Sequence, residues 1–512
     1  MEMIGLDNAY DIIVVGAGNG GLVAAATAAK LGKKVLLVER HNLPGGAASS
    51  FVRGRFEFET SLHELAAYGS KDNPQGIRQI FDWLGLKLDM HEIPGAYRYV
   101  ITGPDGFDIS LPNGRENVIN TIEKAVPGSK AAVSKLFDYG EECMKGFDML
   151  QNGDPIEKIG QRYPAFVKYA TTPYKAVMDE LQIPKKAQQI LAAYWCYIGI
   201  PSDEFTFPYF GEMLVTYVEN GAYAPQKRSH EITSALVKNI EQNGGDVWLN
   251  TEVEKIITKD GQAVGIQLHD QQIFGKEIIS DVMYHTVFAK MLDRDVIPQK
   301  ALKLANARQL GTSGFLVYLG LNKSPEELGI KDYSVFISST GDSREQYNRM
   351  GTLDQNDFMI MNCLNIAVPN CSPAGTSILY ATQLYRDGSW DQVAPENYNA
   401  MKEKIAARII KQYEDATGVK IHDAVEEVAI AAPETFARYM RTPNGSIYGY
   451  YGADWDQPMG RLVNLPQEAQ PVPHLFFCGG DSYMMDGYSS AFFTGFTIGK
   501  MACAALDKEM TK

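Results

Sequence analysis

Ile12 to Val15 form an unbroken β-branched run, the pattern of a strand buried on both faces of a parallel sheet. Small residues follow in LVAAATAAKLG (Leu22 to Gly32), which predict a closely packed helix that stops at a glycine, and KVLLVE (Lys34 to Glu39) is the next strand. One βαβ unit thus fits into about 30 residues. Past Phe51 the pattern becomes mixed. From about Gly95 to Ala222 it predicts two strands, YRYVITG and FDISLP, and then a largely helical, aromatic-rich region. A helix followed by strands returns between His230 and Asp281, with turns at Gly244-Gly245, Asp260-Gly261 and Asp270, and resumes the first unit. Further strands (GFLVYLGL, DYSVFIS, SILYATQLY) and an amphipathic helix near Tyr398 to Ala416 precede HLFFCGGD, a buried strand ending in glycines. The chain therefore alternates between two domains. Segments 1–90, 225–285 and 465–512 are assigned to one discontinuous α/β domain, and 91–224 and 286–464 to a second, α+β domain with a helical layer.

Length and charge narrow the function. A chain of 512 residues has room to enclose a large cofactor, and a formal net charge of -14 argues against a nucleic-acid backbone as partner. Six cysteines (Cys143, Cys196, Cys363, Cys371, Cys478, Cys503) lack paired spacing, so neither a metal set nor a disulfide framework is expected. Glu2 and Asp7, followed closely by a glycine loop, are unlike a signal peptide. The longest apolar runs are too short, or are broken by Lys500, to span a bilayer. A cytoplasmic protein is expected, with contact at a membrane surface left open.

Gly16, Gly18 and Gly21 fit G-x-G-x-x-G between a strand and a helix, and Glu39 closes the next strand, where a carboxylate accepts ribose hydroxyls. A plain glycine turn would not need that partner. Arg40 stands beside it. NAD and FAD share this loop, and two features favour FAD. Gly45 and Gly46 offer a second stretch of bare backbone, and the C-terminal segment runs strand, Gly479-Gly480-Asp481, Gly487, helix. That helix's N-terminus carries partial positive charge suited to a reduced flavin, and Asp481 is the candidate for the ribityl or pyrophosphate region.

These blocks, together with GAYAP (Gly221 to Pro225), EVEKIITKDGQAVGIQL (Glu252 to Leu268) and TPNGSIYG (Thr442 to Gly449), resemble in order the flavoprotein family of phytoene desaturases, carotenoid isomerases and retinol saturases. The resemblance covers nearly the whole chain, and its end motifs are shared with the wider amine-oxidase-like group. It implies a flavin domain of the glutathione-reductase type, Rossmann-like and interleaved with an α+β substrate domain. It also implies Val253 on the adenine side, FAD as cofactor, and a hydrophobic tunnel for a long apolar small molecule whose conjugated double bonds are desaturated, saturated or isomerised. The chain departs from the family at Ala47, where an arginine is frequent, at Gln226 to Glu231 (QKRSHE), where Gly-Gly is usual, and at Glu59-Thr60-Ser61. Lys227, Arg228 and His230 would set polar groups near the flavin, which implies a substrate with an apolar body and a polar end such as a carboxylate.

His63, Glu64, Arg228 and His230 are the candidates for proton transfer or substrate anchoring, because the resemblance places their segments beside the isoalloxazine. SLHEL could equally be a helix start with a surface pair, and KRSHE a solvated turn. Tyr450 is a candidate cavity-lining catalytic tyrosine, with Tyr448 and Tyr451 beside it. The aromatic stretch Ala192 to Tyr223 either walls a tunnel or fills the helical layer. No second glycine fingerprint follows a later strand, so no dedicated NAD(P)H domain is expected and the electron partner is open. A flavin amine oxidase and a non-redox lipid- or prenyl-binding protein are the alternatives; the intact glycine loop, Glu39 and Asp481 argue against the latter.

Overall fold

A computed structural model describes residues 10–104 and 106–510; Glu2 and Asp7 lie outside the described residues. Seven strands form the first sheet. Its parallel part runs Leu475–Phe477, Gln272–Ser280, β1 (Tyr10–Val15), β2 (Val35–Val38) and Asp246–Trp248, so neighbours in space come from three distant segments of chain. Ile12, Ile13 and Val14 are fully buried because both faces of β1 are covered. Two further strands, Lys255–Lys259 and Gln262–Gln267, extend the sheet antiparallel to the start of Gln272–Ser280.

α1 (Asn19–Lys30) is buried almost throughout, which explains its alanines. It packs on the C-terminal helix Tyr488–Met510 so closely that a Cβ at Gly495 would strike the Gly20 carbonyl, and one at Gly499 would lie 2.9 Å from the Ala24 carbonyl. A bulky side chain on either helix would force the pair apart.

The second sheet orders Val425–Ala431, Ser313–Leu321, Ser377–Tyr385, Met359–Cys363, Ser334–Ser338, Tyr97–Ile101 and Phe107–Leu111, antiparallel except where Ser334–Ser338 meets Tyr97–Ile101. Three of its strands are the ones expected after residue 282. Two more are not apparent in the sequence: Met359–Cys363 is rich in methionine and buries Asn362, while Val425–Ala431 is an edge strand with Glu426 and Glu427. The hairpin Ser50–Arg53 with Phe56–Glu59 is likewise additional.

Residues 115–219 form the helical layer, whose core is dense in tyrosine, phenylalanine and tryptophan. Two irregular turns interrupt it, a 3₁₀ turn at Ala192–Tyr197 and a π turn at Leu214–Glu219. Such turns redirect side chains that a regular helix would bury elsewhere. All six cysteines are free thiols and buried. Among the described residues no helix is long and apolar enough to cross a membrane.

Candidate active site

A single elongated cleft begins at the glycine loop and ends between the two sheets. Gly16, at φ +98, has a conformation that only glycine adopts without strain, and Gly21 lies so close to the Gly16 carbonyl that no Cβ fits. Glu39 closes β2: its Oε2 accepts from the Ala17 amide and its Oε1 from the His41 amide, each at 2.8 Å. A carboxylate offers about four acceptor sites, so two stay available for the hydroxyls of a ribose. The second glycine pair is docked on the first loop, the Gly45 amide donating to Ala17 O at 2.6 Å. Val253, Gly480, Asp481 and Gly487 also line the cleft. Arg40 lines it too, but its guanidinium is spent on the carbonyls of Arg438 (3.0 Å) and Tyr439, so it clasps helix Pro433–Met440 over this end.

Asp281, from the end of Gln272–Ser280, was not a sequence candidate. Its carboxylate sits at the N-terminus of α1, where the Gly18 and Gly21 amides donate to it, and burial with the Asp481 and Glu39 charges nearby pushes its pKa up to about 8. A Cβ at Gly18 would strike this carboxylate, so the bare Cα of Gly18 has a reason within the chain itself. Burial also raises Asp481 to about 6, against the pull of the Arg461 guanidinium.

The far end of the cleft is built on residues 59–65. Glu59, raised to about 6 by burial, accepts from the Ser229 amide and hydroxyl (both 2.7 Å) and faces the Ser61 and Leu62 amides. Tyr318 and Tyr380 of the second sheet, with Tyr333 just before its strand Ser334–Ser338, then tie the segment down by its carbonyls: Tyr318 to Thr60 (2.6 Å), Tyr380 to Leu62 (3.1 Å) and Tyr333 to His63 (2.7 Å). This ladder holds His63 and Glu64 on the cleft wall. Burial lowers His63 to about 4, so the imidazole is neutral; Nε2 meets Thr382 Oγ1 at 2.7 Å and Nδ1 has no partner. Glu64 accepts from Ser334 and, at 3.1 Å, from Tyr194, and burial raises it to about 7. Tyr197 and Tyr217 come from the two irregular turns, Tyr448 from the segment after the second sheet, and Asp486 from the residue before Gly487. Burial pushes Asp486 well above the ordinary carboxyl range, and its Oδ2 has no partner. Tyr488 donates to Ala47 O at 2.9 Å and Ser61 at 3.0 Å, so hydroxyls meet the backbone where an arginine is usual in the resembling family.

Arg228, His230 and Tyr450 do not line the cleft. Arg228 has φ +60 at the start of helix Ser229–Gln242, which turns its buried side chain to Glu57 O (3.0 Å) and Cys371 O. His230 meets Ser234 in its own helix at 3.1 Å. Tyr450 donates or accepts at His285 Nδ1, 2.8 Å away, and packs on Arg308, whose buried ion pairs with Asp456 and Glu468 were not apparent from spacing. Of the aromatic stretch 192–223, Tyr197 and Tyr217 reach the cleft, while Tyr194, Trp195, Phe207 and Phe210 are core.

A sequence profile for a NAD(P)-binding Rossmann-like domain matches residues 14–82, the stretch that holds both glycine loops and the 59–65 segment. The fold is similar to that of putrescine oxidase, with TM-score 0.64 at 13% identity over 97% of this chain and 99% of that one. A Rossmann-like nucleotide cradle is thus joined to a fold of the putrescine oxidase kind. The chain is 26% identical over 527 residues to the all-trans-retinol 13,14-reductase of Danio rerio, covering 96% of this chain and 85% of the relative. It is 22% identical over 527 residues to the chloroplastic prolycopene isomerase of Daucus carota, covering 99% and 82%. More narrowly, then, the chain is similar over nearly its whole length to retinol 13,14-reductases and prolycopene isomerases.

Proposed function

We propose that the protein binds FAD and uses it to saturate, desaturate or isomerise a carbon–carbon double bond of a long, electrically neutral polyene, an alcohol or a hydrocarbon. The observation that carries the substrate class is the charge of the cleft. Its two cations, Arg40 and Arg441, stand at the Glu39–Glu252 end, whereas the other end offers His63, Thr382, Tyr197, Tyr217 and Tyr448. A carboxylate head group buried there would have no cation to pair with. The earlier expectation of a carboxylate anchored by Arg228 is therefore replaced, since Arg228 is consumed by Glu57 and Cys371. The homologues' names, a retinol reductase and a prolycopene isomerase, fit a neutral polyene.

The residues present fit an FAD: bare glycine backbone at 16–21 and 45–46, an acceptor at Glu39, Val253 beside it, and Asp481 open to the cleft. When bound, the flavin supplies or removes an electron pair with one hydrogen. The chain's own part is to bind the cofactor extended along the cleft, to exclude water between the two sheets, and to provide a proton at His63, Glu64 or a neighbouring hydroxyl.

The test is the absorption spectrum of the purified protein, mass spectrometry of the released cofactor, and anaerobic incubation with all-trans-retinol, prolycopene, retinoic acid and putrescine. FAD release with altered retinol or prolycopene, and little action on retinoic acid, is the expected result. A protein that cannot be loaded with FAD, or that forms hydrogen peroxide from putrescine and leaves both polyenes untouched, refutes the reading.

A further inference from the structure

We infer that the Tyr197 hydroxyl is the group that gives its proton to the substrate carbon, with Glu64 as the proton store behind it and Tyr194 as the hydroxyl rotor that lets Glu64 hold or release that proton. This rests on the polyene reading above and adds the acid it lacks.

The argument is a count of hydrogens. Ser334 Oγ accepts from Asn362 at 2.7 Å and therefore has one hydrogen to give, to Glu64 Oε1. Tyr194 has a single hydrogen but two acceptors within reach, Glu64 Oε2 at 3.1 Å and Ala96 O at 3.2 Å. If Glu64 is ionised, Tyr194 turns to it and the buried Ala96 carbonyl loses its donor. If Glu64 is protonated, its own O–H donates to the Tyr194 oxygen, Tyr194 donates to Ala96, and every group is satisfied. Around the carboxylate stand the phenols Tyr97, Tyr194, Tyr197, Tyr217, Tyr333 and Tyr380 and the Cys196 thiol; no cation is among them. Desolvation and hydrogen counting thus act together to keep a proton on Glu64 near neutrality.

Both Glu64 oxygens are occupied, so the carboxyl cannot itself turn to a substrate without breaking that arrangement. Tyr197 is differently placed. It lines the cleft, its ring centroid lies 5.0 Å from that of Tyr194 with the planes tilted by 44°, and its buried hydroxyl faces the Glu64 carboxyl in a loose contact that lowers the Glu64 pKa without reaching good hydrogen-bond geometry. A buried donor left unspent beside a proton store is costly unless a ligand uses it. In reduction, one alkene carbon would receive hydrogen and its electron pair from a reduced flavin held by the Gly16–Gly21 loop and Glu39. The adjacent carbon forms its C–H bond as the Tyr197 O–H bond breaks; Glu64 returns a proton to the phenolate, and water reprotonates Glu64.

The test uses the FAD-loaded protein reduced anaerobically with dithionite and mixed with all-trans-retinol or prolycopene, following flavin reoxidation for reduction and the isomer pattern for isomerisation. Tyr197→Phe should keep its flavin content, its melting temperature and the spectral shift on polyene binding, and slow the step by about 10²-fold. The wild-type rate should fall as pH rises through about 7, and Glu64→Gln should lose that inflection. A Tyr197→Phe protein within about threefold of wild type, with the same pH profile, overturns the assignment. If the wild type acts on neither polyene, the function reading fails and the assignment falls with it, a result distinct from an active Tyr197→Phe.

Discussion

Asp281→Asn tests whether a buried acid at the glycine loop sets the pH range of the protein. The Asp281 carboxyl goes from 3.8 in the unfolded chain to about 8 in the folded one, through burial first and then through the Asp481 and Glu39 charges. Its folded pKa is raised, so between about pH 4 and pH 8 the folded state holds a proton that the unfolded state has released. Stability therefore falls as pH rises, by roughly 1.4 kcal/mol per pH unit in that window. Asparagine cannot charge. It forfeits one of the two acceptor oxygens that serve Gly18 and Gly21, at a pH-independent cost of about 1 kcal/mol. The stability difference between Asp281→Asn and wild type should thus shift by about 4 kcal/mol in the variant's favour from about pH 5 to pH 8.

Urea unfolding of the flavin-free proteins at a series of pH values measures this directly. Glu59 and Glu64 tilt both curves alike, whereas Asp481 titrates together with Asp281, so the difference reports Asp281 and its coupling to Asp481. In the loaded protein a cofactor diphosphate would repel the ionised carboxylate, so wild-type flavin retention should weaken as pH rises through about 8, while Asp281→Asn stays level. Parallel stability curves for the two proteins would refute both the ionisation assigned to Asp281 and its place in the cradle.

Arg228→Ala should cost about 2 kcal/mol in denaturant unfolding, because it strands the Glu57 and Cys371 carbonyls, and should change retinol and retinoic acid turnover by the same factor. A selective loss for the acid would return Arg228 to the substrate. Gly18→Ala should release flavin, and adding Asp281→Ala should restore part of the loading, since the clash is with that side chain; no recovery in released-cofactor assays would place the obstruction elsewhere. Arg40→Ala removes the clasp on Arg438 and Tyr439 and should speed flavin dissociation roughly fivefold, about 1 kcal/mol, read by stopped-flow capture of released flavin by an apoflavoprotein. An unchanged rate would mean that this contact does not hold the cleft shut.

What could be read from the sequence was local or carried by order along the chain. The β-branched run of β1, the glycines and the small residues of α1 each describe their own surroundings, so the βαβ unit and the return of segment 230–281 to the same sheet were legible. Gly16, Glu39, Val253, Asp481 and Gly487 lie on the cleft for the same reason. The other end was only half legible. His63 and Glu64 stand out as the polar pair in SLHEL, but the tyrosines that hold that segment lie on or beside the second sheet, more than 250 residues away in sequence. Tyr197 and Tyr217 depend on a 3₁₀ and a π turn, which helical periodicity does not announce. Arg228 misleads because its direction follows from a positive φ, a backbone state that a non-glycine residue gives no warning of.

The electrostatics of the cleft follow from the same geography. Glu59, Glu64, Asp281, Asp481 and Asp486 are all shifted upward by burial, and only Asp481 and Asp486 feel a cation, Arg461. An enzyme that had to hold an anionic or strongly polar substrate between its sheets would need fixed charge there. This one has Glu64, Asp281 and Asp486, which hold protons into the neutral range, a neutral imidazole and phenols, which donate hydrogen bonds and protons with little field on an apolar chain. The same groups would cost little to desolvate when a polyene replaces water, whereas ionised carboxylates would resist it. Protonated acids around an apolar slot thus serve two ends at once, entry of a hydrocarbon body and supply of a proton beside the flavin, and raising the pH above the range of these acids should weaken both together.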